Sequence, residues 1–172
     1  MDGAEPRIIP IAEEHIEGFC AAVDCVARER RYLAFLEGPP LDSSRAFVRD
    51  NIAQGHPHYV ALDGGRVVGW CDITPPGRPV YAHGGILGIG VLPAWRGKGT
   101  GRRLMAATLA AARARGLKRV GLTVYDHNER AAALYRKMGF AVEGRQRKAC
   151  LIDGVYHDVI LMGLLFDDAA SA

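Results

Sequence analysis

The chain has 172 residues, 49% of them hydrophobic, and a formal net charge of +3. These values predict a single globular domain over residues 1–172, with a core from about 7 to 165 and a tail from 167 to 172. The mild charge does not favour nucleic-acid binding, and no apolar stretch is long enough to predict a membrane span. Four cysteines without metal-ligand spacing predict free thiols, no metal site and a cytoplasmic location.

Taken in chain order, hydrophobic periodicity and turn residues predict an α+β domain. The predicted strands cover residues 7–11, 58–62, 66–74, 82–91, 118–125, 140–151 and 155–165. The predicted helices cover residues 13–31, 43–54, a stretch ending near 115, and 129–138. Ser43 or Ser44 is expected to cap the second helix, and Asp63-Gly64-Gly65 predicts a hairpin turn.

The most informative segment joins a predicted strand to a predicted helix. Residues 92–104 read Leu-Pro-Ala-Trp-Arg-Gly-Lys-Gly-Thr-Gly-Arg-Arg-Leu, with Gly97, Gly99 and Gly101 in alternation. Glycine adopts backbone conformations closed to other residues and leaves room for a ligand to approach the main chain. Because free N–H groups and the dipole at a helix N-terminus favour anions, the segment predicts a ligand that carries phosphate.

The spacing excludes two common phosphate loops. Pro93 stands where the Walker pattern needs a glycine, and Arg102 stands where the dinucleotide pattern needs its third one. The order Val91-x-Pro-x-Trp-Arg-x-x-Gly-x-Gly101 instead resembles the signature of the GCN5-related N-acetyltransferases, a superfamily that binds acetyl-CoA.

A second segment resembles the same superfamily. Residues 128–140 match its pattern N-x-x-A-x-x-L-Y-x-x-x-G-F, and the resemblance extends over roughly residues 60–165. The ending, with Glu143-Gly144, Arg147 and then Asp153-Gly154-Val-Tyr-His-Asp158, is similar to single-domain members. Such members acetylate small amines, amino acids and antibiotics, including phosphinothricin-like compounds, and their relatives act on protein N-termini.

The resemblance implies a mixed, mostly antiparallel sheet of about seven strands, flanked by about four helices and splayed where acetyl-CoA binds. A bulge eased by Gly88 and Gly90 would splay the strand; the alternative is that these glycines only allow close packing. Acetyl-CoA would be the acetyl donor, with its pantetheine arm on the strand and its pyrophosphate on the glycine-rich segment. The predicted contacts are Ile89, Gly90, Val91, Arg96, Gly97, Lys98, Gly99, Thr100, Gly101, Arg102, Asn128 and Tyr135.

Two of these residues are expected to act in the chemistry or beside it. Tyr135 matches the superfamily's general acid, and a phenol can protonate a leaving thiolate; the alternative is a tyrosine that only packs in the core. Asn128 could bind the pantetheine arm, cap a helix, or do both. Lys98 and Arg102 could face phosphate or solvent.

The general base is the least defined part of the prediction. Many relatives carry a glutamate on the strand before the glycine-rich segment, and here that strand has no carboxylate. His83 is the predicted base because imidazole titrates near neutrality, although a histidine without a catalytic role is also compatible. The other candidates are Asp72, Glu29, His157 and Asp158. A base is also dispensable if the enzyme takes up a neutral amine.

The resulting hypothesis is direct transfer of the acetyl group to the primary amine of a small molecule. The alternatives are a protein N-terminal acetyltransferase and a non-catalytic acyl-CoA sensor. Aromatic residues expected at the acceptor pocket are Trp70, Tyr32, Phe35 and Tyr156. A homodimer is the expected assembly, as is common among relatives, with the last strand as a candidate interface and no nucleic acid or membrane as partner.

Overall fold

The computed structural model describes residues 5–166, and the predicted tail, residues 167–172, lies outside them. The arrangement of helices and strands confirms the predicted α+β fold. Seven strands form one sheet in the order β1-β2-β3-β4-β5-β7-β6. The strands are β1 Arg7–Pro10, β2 His58–Asp63, β3 Arg66–Thr74, β4 Gly84–Val91, β5 Arg119–Tyr125, β6 Ala141–Ile152 and β7 Val155–Leu165. The helices are α1 Ile16–Ala27, α2 Leu41–Gln54, α3 Thr100–Ala114 and α4 Glu129–Lys137.

The sheet is covered by helices on both faces. Trp70 of β3 meets Phe19 of α1 edge-on, with ring centroids 5.8 Å apart. The preceding residue, Gly69, faces the opposite way and lies beneath Leu104 of α3, because neighbouring residues of a strand point to opposite faces. The helices α1 and α2 therefore share one face, and α3 and α4 share the other.

The sheet parts between its two central strands, β4 and β5, as the family resemblance implied. Every neighbouring pair is antiparallel except β4 and β5, which run parallel and pair only over Gly84–Ile86 and Arg119–Gly121. Beyond these residues β4 continues to Val91 and β5 to Tyr125 without pairing to each other. Backbone N–H and C=O groups of residues 87–91 and 122–125 therefore face a gap between the two strands.

Two helix boundaries differ from the prediction. The first helix ends at Ala27, because Arg30 takes a left-handed φ of 55° and the Asp24 carboxylate accepts the N–H of Gly38 at 2.8 Å, which turns the chain back. The expected serine cap is wrong. The second helix begins after Pro40, whose carbonyl accepts the N–H of Ser44 within the first turn.

The last strand lies inside the sheet rather than at its edge. β7 pairs with β5 on one side and with β6 on the other. Both edges of β7 are therefore occupied within the sheet, and a partner molecule cannot add a strand there; the homodimer stays a prediction. Among residues 5–166, none of the helices combines the length and the apolar character needed to cross a bilayer.

Candidate active site

The gap between β4 and β5 opens into a cavity of about 670 Å³. Ten of the twelve predicted acetyl-CoA contacts line it: Ile89, Gly90, Val91, Arg96, Gly97, Gly99, Gly101, Arg102, Asn128 and Tyr135. The other two do not. Lys98 is exposed, and Thr100 is buried at the start of α3. The two motifs, about thirty residues apart in the chain, are thus brought to one cavity.

The glycine-rich segment presents the N-terminus of α3 to this cavity. Gly97 and Gly99 have φ values of 78° and 81°, in the left-handed region that favours glycine. Gly99 precedes the helix and no side chain caps it. Since the first N–H groups of a helix lack intrahelical partners, they remain available to an anion.

Arg96 holds the segment in place. Its guanidinium donates to both carboxylate oxygens of Glu29, its Nε donates to the carbonyl of Val91 at 2.7 Å, and it lies 4.8 Å from the ring centroid of Tyr32. The bond to Glu29 raises the pKa of Arg96 above its ordinary value. These contacts join the end of α1 to the end of β4, so Arg96 shapes the site with its donors already engaged.

Arg96→Ala is expected to lower the free energy of unfolding by about 2 kcal/mol, because Glu29 and the Val91 carbonyl lose a charged partner in a half-buried place. Urea unfolding measures the change. Arg103→Ala is the matched control, since its ion pair with Glu5 is exposed and such pairs contribute about 0–1 kcal/mol. Equal losses in the two variants would contradict a stabilising role for Arg96.

The strand β4 reaches the gap without the expected bulge. It keeps a regular register with β3 from Gly69↔Val91 to Thr74↔Ile86. A side chain at Gly90 would overlap the indole of Trp70, and one at Gly88 would meet the carboxylate of Asp72. The two glycines therefore make room for side chains of β3, which is the close-packing alternative.

The second motif contributes one cap and one buried phenol. Asn128 caps α4 by accepting the N–H of Ala131 at 3.2 Å, which leaves its amide N–H groups for other partners. Tyr135 is 8% exposed and lines the cavity. Burial, with a smaller contribution from the neighbouring Cys71, raises the pKa of its phenol well above the ordinary value. The hydroxyl is therefore protonated at neutral pH.

Two arginines of the cavity were missed in the sequence. Arg130 lies against the glycine-rich segment, with its Nη2 2.6 Å from the position that a Cβ would take on Gly97. Arg31 lines the cavity from the segment after α1. The position of Arg130 just after the helix cap Asn128 was a usable signal, because a side chain there points near the helix N-terminus. Nothing in the sequence around Arg31 indicates its place.

The predicted base lies apart from this cavity. His83 precedes β4 and lines a separate cleft of about 530 Å³ with Tyr81 and Ile86. Of the other candidates, Glu29 is paired with Arg96, and Asp158 is paired with Arg145 at 2.7 Å. His157 packs against His127 at the end of β5, with ring centroids 5.0 Å apart. Asp72, the remaining carboxylate, is buried opposite Gly88 of β4 and is not among the residues that line the cavity.

The aromatic residues expected at an acceptor pocket are dispersed. Trp70 is buried beneath α1, whereas Tyr32 lines the cavity next to Arg96. Phe35 and Tyr156 are largely exposed. Of the four aromatic residues predicted for an acceptor pocket, Tyr32 alone lines the cavity.

Parallel strands that part beside an uncapped helix N-terminus form a site that can hold a long ligand carrying phosphate. The chain belongs to the acetyltransferase (GNAT) family, whose sequence profile matches residues 26–140. It is accordingly an acetyltransferase.

Individual relatives support the assignment. The chain is 41% identical over 110 residues to the N-alpha-acetyltransferase RimI of Mycobacterium tuberculosis, covering 63% of this chain and 67% of that protein. It is 30% identical over 135 residues to the L-methionine sulfoximine/L-methionine sulfone acetyltransferase of Pseudomonas aeruginosa, covering 77% and 78%. Its fold matches yncA of Salmonella typhimurium, solved with its cofactor acetyl-CoA, with a TM-score of 0.91, 19% identity and 98% of both chains covered.

Proposed function

We propose that this protein transfers the acetyl group of acetyl-CoA to the primary amine of a small molecule, by direct attack within a ternary complex. The observation that carries the proposal is the gap between β4 and β5, which ends at the uncapped N-terminus of α3. A long ligand with a polar arm and a pyrophosphate matches these two features together. No metal takes part in the proposed reaction.

The proposed binding mode follows the unpaired backbone. The pantetheine amides would pair with the free groups of Ile89–Val91, as an added strand does. The pyrophosphate would lie on the N–H groups of residues 97–102, where Arg102 and Arg130 add positive charge. Lys98 is proposed to contact phosphate from outside the cavity.

The proposed chemistry uses the same groups. A neutral amine attacks the thioester carbonyl, and a β4 N–H facing the gap stabilises the oxyanion. As the C–S bond breaks, the Tyr135 hydroxyl gives its proton to the thiolate. The position of Tyr135 in the cavity wall supports this role, because a phenol is protonated at neutral pH and can give its proton to the sulfur as the thiolate forms.

The segment between α1 and α2 favours a small acceptor, because hydrogen bonds fasten it to the rest of the domain. The Tyr125 hydroxyl donates to the carbonyl of Leu33 at 3.0 Å, and Arg30 pairs with Asp153 at 2.6 Å. These links tie the segment to β5 and to the turn between β6 and β7. A peptide needs an open groove, whereas a metabolite fits a closed wall, so the relative that acetylates methionine sulfone is the better guide.

Turnover across a defined set of amines tests the proposal. The set comprises L-methionine, L-methionine sulfone, phosphinothricin, spermidine, an aminoglycoside and a peptide with a free N-terminus. Mass spectrometry should follow the products, because an exposed free thiol such as Cys25 would react with the thiol reagents that detect CoA. The expected result is acetylation of an amino-acid-like acceptor.

Two other results would change the assignment. Preference for the peptide would favour an N-terminal acetyltransferase, for which the similarity to RimI is the supporting observation. Acetyl-CoA binding in calorimetry without any product would favour the sensor. A homodimer and a cytoplasmic location complete the proposal; free thiols at all four cysteines support a reducing compartment.

A further inference from the structure

We infer that Asp72 receives the ammonium group of the acceptor and takes its proton, reaching the reaction site past Gly88. The inference rests on the proposed acetyl transfer and names the group that prepares the nucleophile. It also explains how the chain functions with no carboxylate on β4. Four observations carry it.

The first observation is the position of the carboxylate. Asp72 of β3 lies directly opposite Gly88 of β4, and residues paired in this way direct their side chains to the same face. The two carboxylate oxygens, Oδ2 and Oδ1, lie 3.2 and 3.4 Å from where a Cβ on Gly88 would be. The carboxylate thus occupies space that a side chain of β4 would otherwise fill, beside the half of β4 that has parted from β5.

The second observation is that this carboxylate has no structural partner. Within residues 5–166, Asp72 makes no side-chain hydrogen bond and no ion pair, although it is only 8% exposed. Leaving a buried carboxylate unpaired is costly. Burial accordingly raises its pKa to about 7. A group held at this cost, opposite Gly88 in the half of β4 that has parted from β5, is suited to receive a cationic ligand.

The third observation is the arrangement of base and acid. Asp72 and Cys71 are consecutive on β3, so they point to opposite faces of the sheet. Cys71 is close enough to Tyr135 to contribute to the raised pKa of that phenol. Asp72 therefore lies on the α1 and α2 face and Tyr135 on the α3 and α4 face. An amine approaching from the first face would expel the thiolate toward the second.

The fourth observation is the electrostatic setting. On β2, the residue opposite Asp72 is His58, whose burial lowers its pKa to about 3, so it is neutral. On β4, the facing residue is Gly88. From α1 and α2, the side chains that contact His58 are Phe19, Phe47 and Asn51, which are all uncharged. Among these described neighbours, Asp72 is therefore the group that can carry a negative charge and attract an ammonium ion.

The proton balance is complete without another reactant. The ammonium gives one proton to Asp72, and the neutral nitrogen forms a bond to the thioester carbon. The C–S bond then breaks, and Tyr135 protonates the departing sulfur. The nitrogen loses its second proton, which restores the phenol. Asp72 releases its proton to solvent, so acetyl-CoA and the ammonium yield the amide, CoA and one proton.

Asp72→Asn tests the inference with the fastest acceptor of the amine set given above. At pH 7 we expect kcat/KM for the acceptor to fall about 100-fold or more, with acetyl-CoA affinity in calorimetry unchanged. For the wild type, kcat/KM should rise as Asp72 ionises near pH 7 and fall above the pKa of the acceptor amine. The variant can use only the free amine, so its kcat/KM should climb about tenfold per pH unit toward the amine pKa.

Two further variants keep the test decisive. Asp50→Asn, an exposed carboxylate of α2, is the matched control and should behave as wild type. Gly88→Ala places a methyl group against the carboxylate and should lower kcat/KM while the protein stays folded. A loss in Asp72→Asn that is the same at every pH would overturn the inference, because it indicates a structural role.

Other outcomes also decide the matter. Full activity of Asp72→Asn would show that another group is the base. If His83→Gln loses activity while Asp72→Asn keeps it, His83 would be that group. A wild-type protein that acetylates none of the amines would remove the proposed function and this inference together. If the wild type acetylates an amine and Asp72→Asn does so with the same kcat/KM, the inference about Asp72 would be wrong, and the proposed function would stand.

Discussion

Tyr135→Phe should lower kcat by about 100-fold to 10,000-fold, the range that a positioned general acid contributes. Acetyl-CoA affinity should stay the same, because the hydroxyl is expected to act on the sulfur only as the C–S bond breaks. The ring itself packs beside Phe140, at a centroid distance of 6.2 Å, and is preserved by the substitution. The fold and the cavity wall should therefore be retained.

Single-turnover kinetics measure this effect, with calorimetry for acetyl-CoA. Tyr59→Phe on β2 is the matched control, since Tyr59 is not among the residues that line the cavity and the substitution should leave kcat unchanged. A Tyr135→Phe enzyme with undiminished kcat would exclude the phenol as the acid. A variant with weaker acetyl-CoA binding and normal kcat at saturation would instead assign Tyr135 to binding.

Gly101→Leu should weaken acetyl-CoA binding by about 100-fold or more, equivalent to about 2.7 kcal/mol. A Cβ on Gly101 would lie 3.4 Å from Leu134, an ordinary contact, so the backbone of α3 tolerates a side chain there. The rest of a leucine, however, would extend into the cavity at the N–H groups proposed for the pyrophosphate. Binding should fail while the fold survives.

Isothermal calorimetry gives the affinity, and circular dichroism gives the melting temperature. Ala106→Leu adds the same side chain to the exposed side of α3 and should bind acetyl-CoA normally. Undiminished binding by Gly101→Leu would show that the phosphates lie elsewhere. Failure of both variants to fold as wild type would point to the helix and not to the cavity.

Much of the fold was predictable because its information is local. Strand and helix periodicity placed all seven strands and four helices, and the boundaries of β3 and β7 agree with the prediction to the residue. The left-handed positions at Gly97 and Gly99 are also local, since they follow from what the backbone of glycine permits. Short motifs therefore carried the prediction of both the family and the cavity.

The remaining features depend on contacts between distant residues. Arg96 belongs to the family signature, yet its pairing with Glu29 joins positions 67 residues apart. The spacing of glycines on β4 is compatible with a bulge or with close packing, and only the side chains of Trp70 and Asp72 on β3 decide between them. The sequence of β4 shows that this strand carries no carboxylate, but it does not show that Asp72 of β3 lies opposite Gly88; only the strand pairing shows that.

The parting of β4 from β5 also makes cofactor occupancy part of the protein's stability. Within residues 5–166, β4 and β5 pair over three residue pairs, and this short ladder joins one half of the sheet, β1–β4, to the other half, β5–β7. A ligand that bridges the gap binds the folded chain and not the unfolded one, so it raises the free energy of unfolding by about 2.7 kcal/mol at one hundred times its dissociation constant. The melting temperature should consequently report the acetyl-CoA concentration, and amide hydrogens of residues 87–91 should exchange more slowly as the gap fills.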